Sequence, residues 1–185
     1  LPTLGGCVTA SMPRSPEAVV AAYFAAVKDL DQERARQYVA HDARVGDLLP
    51  PLPQGVPVET KDITIEGEAA ESLVKLARAE FARLEVVVDE STISGDEATV
   101  TYHVTRSDPV PGEDDMANLT RSLEAVDLAR HAEVIIDWYI DLLDSPSAVT
   151  TTYAGVAHLT RVDGKWRIES TSPSLNDVLR DRDDD

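Results

Sequence analysis

The sequence predicts an α+β domain in which N-terminal helices pack on an antiparallel sheet of about four strands. Three observations lead to this prediction. Apolar residues recur at helical spacing over the first part of the chain. Over 84–105 and again over 149–171 the apolar residues alternate, as they do in β-hairpins. A long helical pattern lies between the two hairpins, and separate runs of helices and strands are typical of α+β domains.

The composition is that of one acidic domain. The chain has 185 residues, 43% of them hydrophobic, and a net charge of −17, so a core can form without a metal or a disulfide. The excess of carboxylates argues against nucleic acids and anionic membrane surfaces as partners, because both select clusters of Lys and Arg. The single cysteine excludes an intramolecular disulfide.

Two helices are predicted near the N-terminus. Ser15 is a suitable N-cap, and Pro16 suits the first helical position. The apolar stripe of this helix comprises Val19, Val20, Tyr23, Phe24 and Val27. A second helix is expected over 32–39. Tyr23 of the first helix and Tyr38 of the second are candidate contacts for a ligand or partner.

The middle of the chain combines an irregular connection with a helix and a hairpin. Residues 43–62 carry four prolines and two glycines, which predicts irregular structure. A third helix is expected over 68–81. A hairpin over 84–105 follows, and it turns at Gly95 and Asp96.

An insertion separates the two hairpins. Residues 107–147 comprise a loop and one long amphipathic helix, expected over 116–143. Trp138 flanks the apolar side of this helix, which makes it either a partner anchor or a cover for a sheet edge. The second hairpin spans 149–171, and residues 176–185 are expected to form an acidic tail.

Two segments resemble a known superfamily. The closing hairpin, from His158 to Ile168, and the first helix pair, 15–39, are similar to those of the nuclear-transport-factor-two-like proteins, which have a cystatin-like cone and include ketosteroid isomerase. The resemblance implies one domain over 15–175, in which a curved sheet wraps around helices and leaves an open mouth. By itself it implies no activity.

The tetrapeptide Leu4-Gly5-Gly6-Cys7 resembles a bacterial lipobox. In a lipobox the peptide bond before the cysteine is cut and the thiol carries a lipid. Residues 1–14 are therefore interpreted as the end of a signal peptide followed by a tether. The alternative is a chance tetrapeptide in an unstructured N-terminus. The lipobox interpretation predicts attachment to the extracytoplasmic face of a cell membrane through the acyl chains.

Asp89 and Tyr102 are the candidate catalytic residues. With a two-residue turn in the first hairpin, Ser91 pairs with Val100 and Asp89 pairs with Tyr102. A carboxylate and a phenol on the core face match the base and hydrogen-bond donor of ketosteroid isomerases. The alternatives are a solvated Asp89 at a strand end, or a one-residue slip that exchanges the two faces.

The second hairpin is expected to carry side-chain pairs on its surface and no catalytic site. Its turn predicts that His158 meets Glu169 on the outer surface and that Arg161 lies over Trp166 as a cation–π pair. The four histidines lack metal-ligand spacing, so no metal and no other cofactor is expected.

The sequence favours a non-enzymatic, lipid-anchored domain that binds a small apolar ligand or an envelope protein. The first alternative is an isomerase-like or hydratase-like enzyme with Asp89 as general base and Tyr102 as hydrogen-bond donor. The second is a purely structural envelope protein. An open cavity between the sheet and the first helix would distinguish a binding domain from a structural one.

Overall fold

The computed structural model describes residues 13–44, 58–59, 64–65, 68–145 and 148–180. The helices are α1 (Pro16–Lys28), α2 (Gln32–Arg36), α3 (Glu68–Arg83), α4 (Glu113–Glu124), α5 (His131–Leu142) and α6 (Leu175–Arg180). The strands are β1 (Val39–Arg44), β2 (Val58–Glu59), β3 (Thr64–Ile65), β4 (Glu85–Ser94), β5 (Glu97–Asp108), β6 (Val149–Val162) and β7 (Lys165–Ser172). This arrangement confirms the predicted α+β class. Residues 1–12 lie outside the described residues, and so does most of the predicted tether.

The main sheet is curved and open, and its five strands follow the order β1-β7-β6-β5-β4. The two predicted hairpins are β4–β5 and β6–β7, and β5 pairs with β6 along its whole length. The prediction of four strands missed β1, which pairs with β7 in parallel. Because the Ile168 amide donates to the carbonyl of Tyr38 over 2.8 Å, the chain becomes a strand at Val39. The second helix therefore ends at Arg36 and does not reach Val39.

The prediction of one long helix over 116–143 is wrong, because this segment forms two antiparallel helices joined by a short turn. α4 ends at Glu124, a 3-10 turn spans Leu128–Arg130, and α5 then runs back along α4. One straight helix of that length would extend about 40 Å and leave its apolar stripe in water. The fold-back lets Leu119 and Leu123 of α4 become half-buried.

The core lies between α1 and the concave face of the sheet. The Ser15 hydroxyl caps α1 by accepting from the Ala18 amide over 3.2 Å, as predicted. The residues of the predicted apolar stripe are each at most 1% exposed: Val19, Val20, Tyr23, Phe24 and Val27. They pack against alternate residues of β5, which are Ala98, Val100, Tyr102 and Val104. Burial of this apolar surface is the main force that holds α1 on the sheet.

The predicted acidic tail over 176–185 is wrong for its first five residues, which belong to α6. Ser174 and Asp177 cap each other at its start. The Ser174 amide donates to the Asp177 carboxylate over 3.0 Å, and the Asp177 amide donates to the Ser174 hydroxyl over 3.1 Å. Leu175 and Val178 are then buried in the main core. Residues 181–185 lie outside the described residues.

Candidate functional site

A β-bulge separates the two predicted catalytic residues. The pairing of Ser91 with Val100 is as predicted, but the register shifts between Val88 and Ser91. Tyr102 therefore pairs with Val88, and the predicted pairing with Asp89 is wrong. A bulge adds a residue to one strand and exchanges the faces of all residues beyond it. The structure thus does not bring Asp89 and Tyr102 together on one face.

The hydroxyl of Tyr102 is engaged inside the core. The side chain is 0% exposed, and its hydroxyl donates to the carbonyl of Pro173 over 2.5 Å. The ring packs edge-on against Phe24, with 4.8 Å between the ring centroids. The phenol donor that the sequence offered for catalysis therefore holds the segment before α6.

Asp89 lies on the outer surface of the sheet beside His103. A carboxylate oxygen of Asp89 lies 2.6 Å from Nδ1 of His103, and both side chains are partly exposed. Since His103 and Tyr102 are neighbours along a strand, their side chains point to opposite faces. The hydroxyl groups near this pair have other contacts, because Thr101 bonds to Glu90 and Thr105 bonds to Thr152. Neither of these two hydroxyls is therefore positioned as a nucleophile that Asp89 and His103 could activate.

The second hairpin agrees with the prediction at its tip and departs from it farther along. Arg161 pairs with Trp166, and its guanidinium carbon lies 4.3 Å from the ring centroid. A register shift then pairs His158 with Ser170, so the predicted meeting of His158 with Glu169 is wrong.

The aromatic contact candidates have mainly internal roles. Tyr23 is 0% exposed and Tyr38 is 9% exposed, and both belong to the core. Trp138 is half-buried, and its indole N–H donates to the carbonyl of Asp115 over 3.2 Å. This hydrogen bond joins α5 to α4. Contact of Trp138 with a partner stays a prediction.

An apolar groove lies between the side of α1 and strand β4. Its volume is about 480 Å³, and the following residues line it and define what we call the α1–β4 groove: Ala21, Phe24, Ala25, Lys28, Asp29, Val86 and Val88. The four lining residues of α1 from Ala21 to Lys28 follow the spacing i, i+3, i+4 and i+7, which places them along one face. The floor is apolar, and the charged pair Lys28 and Asp29 lies at one end. The space between α1 and the concave face of the sheet is filled by the core, so this groove lies beside the core, where α1 meets β4.

A hydrogen bond joins α1 to β4 about one helical turn before Ala21, the first lining residue of the groove. The Ser91 hydroxyl donates to the carboxylate of Glu17 and so ties the first turn of α1 to β4. This bond is the largest of the causes that hold the pKa of Glu17 below its ordinary value. α1 and β4 are therefore antiparallel neighbours along the groove.

A wider cleft of about 1010 Å³ lies at the opposite edge of the sheet, beside β1 and β7. Its lining includes the basic Arg36 and Arg167 and the acidic Asp42 and Glu169. The guanidinium of Arg167 already donates to the carbonyl of Gln37. The described lining of this cleft therefore carries charges of both signs.

The described residues contain no group of three or more His, Cys, Asp or Glu side chains that could hold a metal ion. Among the same residues, no helix is long and apolar enough to cross a bilayer. The lipidation candidate Cys7 lies outside the described residues.

Sequence reasoning did not identify the α1–β4 groove. The apolar spacing places Phe24 in the core stripe and gives no sign that the side of α1 with Ala21, Ala25 and Lys28 faces a groove. A sequence signal for the groove is the small size of Ala21 and Ala25, which leaves space between α1 and a neighbouring strand. That signal is weak, since only the sheet order places β4 beside this side of α1.

No protein-family model and no curated protein matches the sequence. One similar solved structure is named "Rd1NTF2_04 with long sheet". It has 14% sequence identity to this chain and a TM-score of 0.41, and the match covers 85% of this chain and 97% of that one. An NTF-2 like protein of unknown function from Shewanella oneidensis MR-1 has 10% identity and a TM-score of 0.36, and the match covers 83% of this chain and 90% of that one. An NTF2-like protein of unknown function from Shewanella baltica OS155 has 12% identity and a TM-score of 0.36, with coverage of 83% and 84%. Values this low transfer no ligand, substrate or partner to this chain.

Proposed function

We propose that this chain is a lipid-anchored, extracytoplasmic binding domain that accommodates apolar groups in the α1–β4 groove. The ligand is a small apolar molecule or an apolar segment of an envelope protein. The observation that carries the proposal is the open groove itself, with its floor of Phe24, Val86 and Val88. A concave apolar site of about 300–1000 Å³ is typical of ligand pockets.

Binding is favoured over catalysis because the lining residues that the structure describes include no catalytic pair. Among the described residues that line the groove, the ionisable ones are Lys28 and Asp29, and Asp29 already lies 3.4 Å from a guanidinium nitrogen of Arg34. Neither Asp89 nor the hydroxyl of Tyr102 lines the groove. General acid–base catalysis needs such groups within reach of the reacting atoms.

The groove is tested with Nile red, a neutral apolar dye whose emission increases in apolar surroundings. Ala25→Trp fills the groove from an exposed position of α1, and we expect the dye affinity to fall at least about tenfold. Ala82→Trp is the matched control, because Ala82 is exposed on α3 and does not line the groove. Equal dye affinity in the wild-type chain and in both variants would contradict the proposal.

The membrane attachment is supported by Leu4-Gly5-Gly6-Cys7 and by the start of α1 at Pro16. Residues 8–14 reach at most about 25 Å, which suffices to separate the domain from a lipid on Cys7. Bacteria that make the full-length protein are fed an alkyne-labelled fatty acid, and the membrane fraction is collected. We expect a labelled membrane protein that becomes unlabelled and soluble in Cys7→Ala but not in the control Ser11→Ala. An unlabelled, soluble wild-type protein would contradict lipidation.

A further inference from the structure

We propose that the occupant of the α1–β4 groove is an extended, basic peptide segment that pairs with strand β4. The inference rests on the proposed function, because it names the partner of the same groove. In this binding mode, main-chain hydrogen bonds to a sheet edge supply affinity, and pockets beside the edge select alternate side chains.

β4 is an edge strand that is suited to accept another strand. Among the residues that the structure describes, it pairs with β5 on one side and with no strand on the other. Its first half reads Glu85-Val86-Val87-Val88, a sequence of high β-propensity. Val86 and Val88 are half-buried toward the groove, and Val87 is 49% exposed on the outer face. Apolar side chains at an unpaired edge make that edge a template for strand pairing.

The dimensions of the groove fit a short strand. The lining residues of the helix side run from Ala21 to Asp29. The helix rise over the eight steps between these two residues gives a length of about 12 Å. Four residues of extended chain span about the same distance. The bulge after Val88 ends the regular edge, so we place the paired stretch at Glu85–Val88.

The charges select a basic partner. β4 carries Glu85, Asp89 and Glu90 and has no Lys or Arg. At the end of the groove, Lys28 lies beside the ion pair of Asp29 and Arg34, so the acidic surface that a partner would meet belongs to β4. A peptide with Lys or Arg between its apolar residues complements this edge. The same charges disfavour a second copy of the chain, because two β4 strands would place like charges opposite each other.

The test uses three synthetic heptapeptides as competitors of Nile red. The first alternates Lys and Val, the second has the same sequence with N-methyl groups on alternate backbone nitrogens, and the third alternates Glu and Val. We expect the first to displace the dye. The second and third should bind at least about tenfold more weakly, because they lack strand pairing and charge complementarity respectively.

A charge-reversal pair tests the position of the peptide. Glu85→Lys should weaken binding of the Lys–Val peptide several-fold, whereas Glu124→Lys should leave it unchanged. Both residues are exposed, and both variants have the same net charge, so long-range attraction is equal in the two proteins. Equal weakening in both variants would overturn the assignment to β4.

The outcomes separate this inference from the proposed function. If Nile red binds in the groove and no peptide displaces it, the peptide inference is wrong and the binding domain remains. If the N-methylated peptide binds as well as the first, strand pairing is refuted. A concentration-dependent dimer in sedimentation velocity that Glu85→Lys strengthens would identify a second copy as the occupant and overturn the basic peptide. Absence of dye binding would refute the proposed function itself.

Discussion

Replacing Gly155 by Ala should destabilise the domain through the ring of Tyr102. Gly155 lies directly opposite Tyr102 in the β5–β6 pair. A Cβ at Gly155 would lie 2.4 Å from both Cε2 and Cζ of the ring and 2.8 Å from its hydroxyl oxygen. Carbon atoms in contact normally lie about 3.5–4.0 Å apart, so the ring must move by about 1 Å.

The surroundings of Tyr102 make that movement costly. Phe24 packs against the ring from the helix side, and the hydroxyl is bonded to the carbonyl of Pro173 at 2.5 Å. Overpacking of a core costs about 1–3 kcal/mol, and a lost hydrogen bond adds about 1 kcal/mol. The smaller backbone entropy of Ala in the unfolded chain offsets about 0.5–1 kcal/mol of this. We therefore expect a loss of about 1–3.5 kcal/mol in the free energy of unfolding.

Urea unfolding followed by tryptophan fluorescence measures this loss, because Trp166 is buried in the core. The control is a double-mutant cycle with Tyr102→Leu, which removes the ring and keeps an apolar side chain. In that background Gly155→Ala should be nearly neutral. If the loss stays the same without the ring, or if Gly155→Ala alone costs less than about 0.5 kcal/mol, the steric explanation fails.

Two other contacts give predictions about the ends of the chain. Arg106 is 6% exposed and donates to Asp108 and to a carbonyl of α6. Arg106→Met should therefore lower the free energy of unfolding by about 2 kcal/mol. It should also accelerate amide hydrogen exchange in α6. Unchanged exchange in α6 would contradict this role. The pKa of Glu17 is lowered in the folded state, so its contribution to stability is present above the ordinary carboxyl pKa and is lost as the pH falls through the lowered value. Ser91→Ala should therefore destabilise the domain near pH 7 and have less effect near pH 3. Urea unfolding at the two pH values measures both effects. An equal effect at both would refute the role of the Glu17 carboxylate in this contact.

Local sequence signals predicted much of the fold. The cap at Ser15, the stripe of α1 and the turns of both hairpins are correct, because each depends on residues a few positions apart. α6 has a comparable local signal, because Ser174 and Asp177 have the spacing of a helix cap. The acidic residues that follow favour a charged tail instead, and this led to the wrong prediction. The strand β1 had no such signal, since its pairing partner Ile168 lies more than a hundred residues away.

The candidate site was much less predictable than the fold. The sequence pattern predicts Asp89 and Tyr102 as a pair on the core face, but one bulge places them on opposite faces. A bulge depends on the packing of the entire strand pair, so alternation along one strand does not reveal it. The α1–β4 groove likewise required the sheet order, which the sequence leaves open.

The sequence by itself determined the α+β class, the residues of α1 that face the core, and the lipobox-like tetrapeptide ending at Cys7. These features are read from composition and short-range periodicity. Only the tertiary structure decided that the hydroxyl of Tyr102 is bonded within the core and that Asp89 faces outward to His103. It also decided that β4 is an edge strand beside an open side of α1. The physical reason is that strand register and helix placement depend on contacts between distant parts of the chain, which local patterns do not specify.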